Sequence, residues 1–276
     1  MSSSTKHTRT ARSKGEGVIG QRAMALVVVA GIGLPVMVAL AAVLAVVPGM
    51  AWYLAIPIGL VVSALIVWLK VRNPVDSVLR KLGCDDADED SEPRLFNIVS
   101  GLSLSGGISE PTLMVLADEA RNVAVLDGGG RSVVVFTSGI LDSVDRIGLE
   151  ALAASAITRI RDGDASAATA GVALFGRLVS GPFGGIAEPL VSLGLRKLLG
   201  ADRDLLCDQK AVLLTRYPPG LVAALDVMSQ GSICPAGATK ANDHIWLAAP
   251  SGELSDSAAM VPHAALDLRM AVLEEL

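Results

Sequence analysis

Two stretches, Ala23 to Val47 and Met50 to Leu69, contain no charged residue, and only Pro48-Gly49 separates them. A helix rises about 1.5 Å per residue and the hydrocarbon core of a bilayer is about 30 Å thick, so each stretch is long enough to span it. Trp52, Tyr53 and Trp68 fall near the two ends of the second stretch, where amphipathic rings prefer the headgroup level. Lys6, Arg9, Arg12, Lys14 and Arg22 precede the first stretch, and Lys70, Arg72, Arg80 and Lys81 follow the second. The turn between them has no charge, so the positive-inside rule predicts a two-helix transmembrane hairpin with both ends in the cytoplasm. A secretory signal peptide is disfavoured, because its apolar region runs to only about 7–15 residues. The expected location is the cell membrane, multi-pass, with the main domain cytoplasmic and the lipid bilayer as one partner.

Composition narrows the function classes. Hydrophobic residues make up 51% of the 276 and charged residues 18%, which excludes a disordered chain. Basic residues number 23 against 28 acidic ones, a net charge of −5, so nucleic acid is not an expected partner. Cys84, Cys207 and Cys234 are too far apart for a disulfide scaffold or a zinc knuckle, and read as buried apolar residues. His7, His244 and His263, the three histidines, limit metal chemistry further.

The expected organisation is a basic cytoplasmic tail over 1–22, the hairpin over 23–69, an acidic linker over 70–93 and one domain over 94–276. The run Cys84 to Pro93 holds six acids and reads as solvated chain rather than a cation loop, which needs alternating ligands and a placed glycine. Arg94 to Leu104 reads as a helix ending near Gly106-Gly107. Thr112 to Ala117, Asn122 to Leu126 and Ser132 to Thr137 read as strands, the last two joined by a glycine hairpin loop at Asp127 to Gly130. Leu149, Leu152, Ala153, Ala156 and Ile160 repeat at helical spacing within Leu141 to Arg161, with Ser143 or Asp145 as cap. Ala165 to Ala187 is apolar but too interrupted to span, and is expected to associate with the membrane or the domain without crossing. Helices are expected over Leu205 to Leu214, from Leu221 to Met228, and over Ala264 to Leu276. The fold class is α+β and mainly helical, with a small β-sheet.

This order of elements resembles the HtpX-type membrane zinc metallopeptidases, from about Leu95 onward. Gly107-Ile108-Ser109-Glu110-Pro111 is similar to the family's Gly-Ile-x-x-Pro, and Asn122-Val123-Ala124-Val125 to its Asn-Ala-Phe-Ala. Phe136 to Leu141 resembles Val-Thr-x-Gly-Leu-Leu, and Leu149 to Ala154 the approach to the catalytic helix. Arg203 to Asp208 resembles Arg-Glu-x-x-Ala-Asp, and Pro262-His263-Ala264-Ala265-Leu266 with Arg269 resembles the closing Thr-His-Pro-Pro…Arg element. The resemblance implies a zincin-like cytoplasmic domain, a zinc cofactor, and a place in membrane-protein quality control.

The family's His-Glu-x-x-His is missing. Two histidines at i and i+4 face one zinc from one side of a helix, and the glutamate activates the bound water. Here the matching segment reads Ser155-Ala156-Ile157-Thr158-Arg159. The resemblance puts Ser155 at the first ligand, Ala156 at the general base, Arg159 at the second ligand and Asp204 at the third. A serine hydroxyl is a poor zinc ligand and an arginine cannot become one. No catalytic residue, no metal ligand and no cofactor is therefore expected. Ser155 as a nucleophile has no histidine tied to it by sequence, although His263 has a family counterpart near the active site.

The expected function is that of an inactive homologue, a pseudopeptidase, binding or regulating membrane or cytoplasmic proteins. Two alternatives are an active membrane metalloendopeptidase with an atypical metal site, and an unrelated anchored scaffold. One local expectation can be checked directly. Asp204 and Asp208 lie one turn apart and would repel if buried together without a cation. Arg159, permanently charged, is expected to pair with Asp204, Asp208 or both; otherwise it points to solvent alongside Arg161.

Overall fold

A computed structural model describes residues 61, 65, 73–180, 184–200, 202–250, 261 and 263–276. The basic tail and, apart from Val61 and Leu65, the hairpin lie outside the described residues. Among those described, no helix is long and apolar enough to cross a membrane.

Three strands dominate a four-stranded mixed sheet of order β1-β2-β4-β3. They are β2 (Thr112–Leu116), β3 (Val123–Gly128) and β4 (Arg131–Thr137). β3 and β4 are antiparallel, with Gly128 opposite Arg131. Only Gly129 and Gly130 turn the hairpin, with φ of 66° and 83°. A two-residue turn of this hand needs positive φ at both positions, which is why glycine stands there. β4 then runs parallel to β2. Val123 to Leu126 and Val133 to Phe136 are continuously buried, as expected of strands covered on both faces.

Each face has its own core. Leu113, Val123, Val125, Val134 and Phe136 point to one side and pack with α2 (Pro93–Gly106), α4 (Arg146–Arg161) and α8 (Pro218–Ser229). Met114, Leu116, Ala124, Leu126, Val133 and Val135 point to the other, toward α1 (Pro74–Leu82), α5 (Asp164–Val179) and Trp246. Val75, Val78, Leu79 and Leu82 on α1 form one apolar stripe at helical spacing. The segment read as a linker over 70–93 thus contributes a core helix, and Asp85–Asp86 forms the short edge strand β1, antiparallel to β2. The acids mask this in the sequence, since edge strands favour charged side chains.

Two motifs of the resemblance have structural explanations. Asn122 is fully buried; its Nδ2 donates to Ile233 O at 2.7 Å and Ala248 O at 2.9 Å, and its Oδ1 accepts from Ala248 N at 3.2 Å. Gly139, in α3 (Ser138–Ser143), lies against the 118–120 turn, where an added Cβ would be 2.1 Å from Glu119 O. No side chain fits there unless the backbone moves.

α4 is the central helix, buried from Gly148 through Ile160 apart from Glu150. Asp145 is its cap, with Oδ1 accepting from Gly148 N at 2.7 Å. Ala151, Ala153, Ala154, Ser155 and Ala156 are small enough for neighbours to approach on every side. α2, α8, β3, α5 and α7 (Arg203–Thr215) all pack on it. The apolar region Ala165 to Ala187 is split between α5 and α6 (Gly184–Leu199). Ala165, Ala168, Val172, Leu174 and Phe175 of α5 are buried. α8 begins at Pro218, earlier than the sequence suggests, because proline is tolerated at a helix's first position. α9 (Leu266–Glu274) closes the domain, with Leu273 buried and Leu266 and Met270 beside it.

Candidate functional site

A helix that is buried all round has no room for a charged residue without partners, and Arg159 sits near the end of α4 at 1% exposure. Its Nη2 donates to Asp204 Oδ1 at 2.6 Å, on the first turn of α7. Its Nη1 donates to Trp246 O at 3.4 Å and lies 3.8 Å from Asp164 Oδ2, at the start of α5. Of the two expected partners, Arg159 thus takes Asp204.

Asp208 has a different cation. Arg269 of α9 holds it in a two-pronged pair, Nε to Oδ2 at 2.6 Å and Nη2 to Oδ1 at 2.8 Å. The repulsion expected between the two aspartates is removed by two arginines from different elements. A third, Arg203, lies 3.6 Å from Asp164 Oδ1 and 3.7 Å from Asp204 Oδ1.

His263 completes the surroundings of Asp204. Arg203 Nη2 lies 3.2 Å from His263 Nε2, and a guanidinium cannot accept, so Nε2 is the lone-pair nitrogen. His263 Nδ1 lies 3.1 Å from Asp204 Oδ2, which accepts from the Ala264 N–H at 3.1 Å. Burial works against ionisation of Asp204. Arg159, His263 and Arg203 outweigh it and hold the carboxyl well below the usual carboxylate range. Burial also opposes the charges on Arg159 and Arg269; Asp204 and Asp208 respectively outweigh it, and both guanidiniums are held above their ordinary value.

The same three arginines gather the irregular segment around the short turn Asp243–Ile245. Arg203 donates to His244 O at 2.9 Å, Arg159 to Trp246 O, and Arg269 Nη1 to Leu247 O at 2.6 Å. His244 is buried with Nε2 3.1 Å from Ala168 O. Burial, with Arg203 and His263 nearby, pushes its imidazole down to about 3, so it is neutral.

Sequence reasoning brought together Arg159, Asp204, Asp208 and His263 but missed Asp164, Arg203, His244 and the pairing of Arg269 with Asp208. Arg203-Asp204 at a helix start and the terminal Arg269 were the available signals. Nothing in the sequence ties Asp164 or His244 to them. Ser155 and Ala156 are both fully buried, and Ser155 Oγ has no hydrogen-bond partner. Burial also pushes the neighbouring Cys207 thiol up to about 11 despite Arg159, leaving it unreactive.

The donor set does not suit the zinc ion implied by the resemblance. Of the four positions only Asp204 carries an anionic donor, and both its oxygens are engaged. Three arginines already face three aspartates, so a divalent cation would enter a charge-balanced cluster beside a fixed guanidinium. Among the described residues, no three His, Cys, Asp or Glu side chains converge in a way that could hold a metal.

The chain is similar to several curated proteins called Protease HtpX homolog. That of Dictyoglomus thermophilum is 28% identical over 203 residues, covering 62% of this chain and 67% of the relative. That of Dictyoglomus turgidum is 28% identical over 204 residues, covering 63% and 67%. The Lactobacillus acidophilus protein is 25% identical over 203 residues, covering 60% and 67%. No family model and no solved structure matches the chain. Relatives of one name thus align with about 60% of the chain, which over that stretch is similar to the HtpX-type proteases.

Proposed function

We propose that this protein is a membrane-anchored HtpX-type homologue without proteolytic activity, which binds or regulates membrane or cytoplasmic proteins. The observation that carries this reading is the Arg159–Asp204 pair. It puts a guanidinium on one of the positions the family resemblance assigns to zinc, and Ala156 supplies no carboxylate to activate water. Hydrolysis of a peptide bond needs an activated nucleophile within reach of the substrate. Ser155, Ala156, Arg159 and Asp204 are instead enclosed in the packed interior. The zincin-like frame serves here as a scaffold, and quality control of membrane proteins is the setting the family suggests.

The purified full chain is expected to carry well below one zinc per molecule and to cleave no unfolded membrane-protein substrate, with or without added zinc. Stoichiometric zinc that is lost in Asp204→Ala, together with cleavage, would favour the active metalloendopeptidase instead. Partners are then sought by crosslinking in the native membrane.

The anchor rests on the uncharged runs at Ala23 to Val47 and Met50 to Leu69 and their flanking basic residues. A reporter fused to the carboxy terminus is expected to behave as cytoplasmic. An exported signal there overturns the orientation.

A further inference from the structure

We infer that Arg159 acts as a built-in cation that cross-links the domain in place of a bound metal. This rests on the assignment of Ser155, Ala156, Arg159 and Asp204 to the family's zinc-site positions, and adds what their replacement does.

The guanidinium joins its own helix to three other parts of the chain. Arg159 itself belongs to α4, Asp204 to α7 and Asp164 to α5, and Trp246 supplies a carbonyl from the irregular segment. Asp204 extends the junction to a fifth part through the Ala264 N–H and His263. A central cation holding several elements by their oxygens is what a structural metal provides. Here the charge is covalently attached to the central helix and cannot dissociate.

Charge balance shows why it is needed. Asp164, Asp204 and Asp208 are matched by Arg159, Arg203 and Arg269, with the side chains of all six no more than 11% exposed. Removing Arg159 leaves one buried negative charge in excess, next to a cavity shaped for a guanidinium. That cavity is a latent site for a small planar cation, which the intact chain fills with its own side chain.

The test uses thermal unfolding of the purified full chain. Wild type is expected to melt at the same temperature with and without a zinc chelator. Arg159→Ala is expected to melt about 10 °C lower, as befits loss of one partner of a buried pair in a domain of this size. Arg159→Met restores the bulk but not the charge, so it is expected to fall almost as far. Arg159→Ala with Asp204→Asn is expected to recover several degrees. Added methylguanidinium is expected to raise the melting temperature of Arg159→Ala but not of the double variant. A chelator-sensitive wild type overturns the proposal, as do additive losses in the double variant or full stability of Arg159→Met. An additive result leaves the absence of proteolysis standing, whereas peptide cleavage by wild type overturns the functional reading whatever the melting temperatures show.

Discussion

Arg269→Ala is expected to destabilise the domain by about 3–5 kcal/mol, because it strands the Asp208 carboxylate in the interior. The pair is two-pronged, with both side chains at 0–1% exposure, and the third nitrogen of the fork holds Leu247 O. One arginine therefore ties α9 to α7 and to the chain that runs beside β3, where Leu247 N donates to Val123 O at 2.8 Å. An exposed pair of the same kind contributes only about 0–1 kcal/mol, so the size of the loss reports the burial. Urea unfolding of the full chain measures it. Arg269→Met combined with Asp208→Leu is expected to recover most of the loss, since a buried pair exchanged for apolar residues of similar volume is often neutral. A loss below about 1 kcal/mol for Arg269→Ala contradicts the buried geometry.

Mild acid is expected to weaken the domain through His244. Its imidazole is depressed to about 3 in the folded chain, against about 6.5 unfolded. Between those values the unfolded chain binds a proton that the folded chain does not. Stability from this group is therefore complete above about pH 6.5 and falls as the pH drops, by up to about 1.4 kcal/mol per unit. Going from pH 7 to pH 5 is expected to remove roughly 2 kcal/mol. His244→Gln cannot titrate, so urea unfolding at a series of pH values should show a flatter profile for it over this range. Asp204 acts lower on the scale. Its depressed carboxyl contributes stability above the ordinary carboxylate range, and that is lost as pH falls through the folded value. An unchanged slope in His244→Gln would show that the imidazole is not held neutral by burial.

Much of the local structure was legible because each signal is short-range. The β3 and β4 runs are dense in valine, and the glycines between them permit the positive φ that a two-residue hairpin turn needs. Leu149, Leu152, Ala156 and Ile160 mark a helix by spacing alone, and Asp145 supplies its cap. The segment after Leu69 is less legible. Its acids suggested solvated chain, while the stripe of Val75, Val78, Leu79 and Leu82 was short and lay before the domain boundary.

The candidate site divides the same way. That no histidine-glutamate pair stands on α4, and that Arg159 needs a carboxylate if buried, both follow from residue chemistry alone. Which carboxylate it takes did not follow. Asp204 and Asp208 share a helix face, and the choice depends on Arg269, 61 residues beyond Asp208, reaching that aspartate first. Asp164, Arg203 and the carbonyls of His244, Trp246 and Leu247 enter only when the chain closes on itself. Pairing by charge is not encoded in sequence spacing, because a long flexible side chain can meet any oxygen the fold brings within reach. Packing decides which oxygens those are, and the cost of burying an unmatched charge then selects the arrangement in which every one is paired.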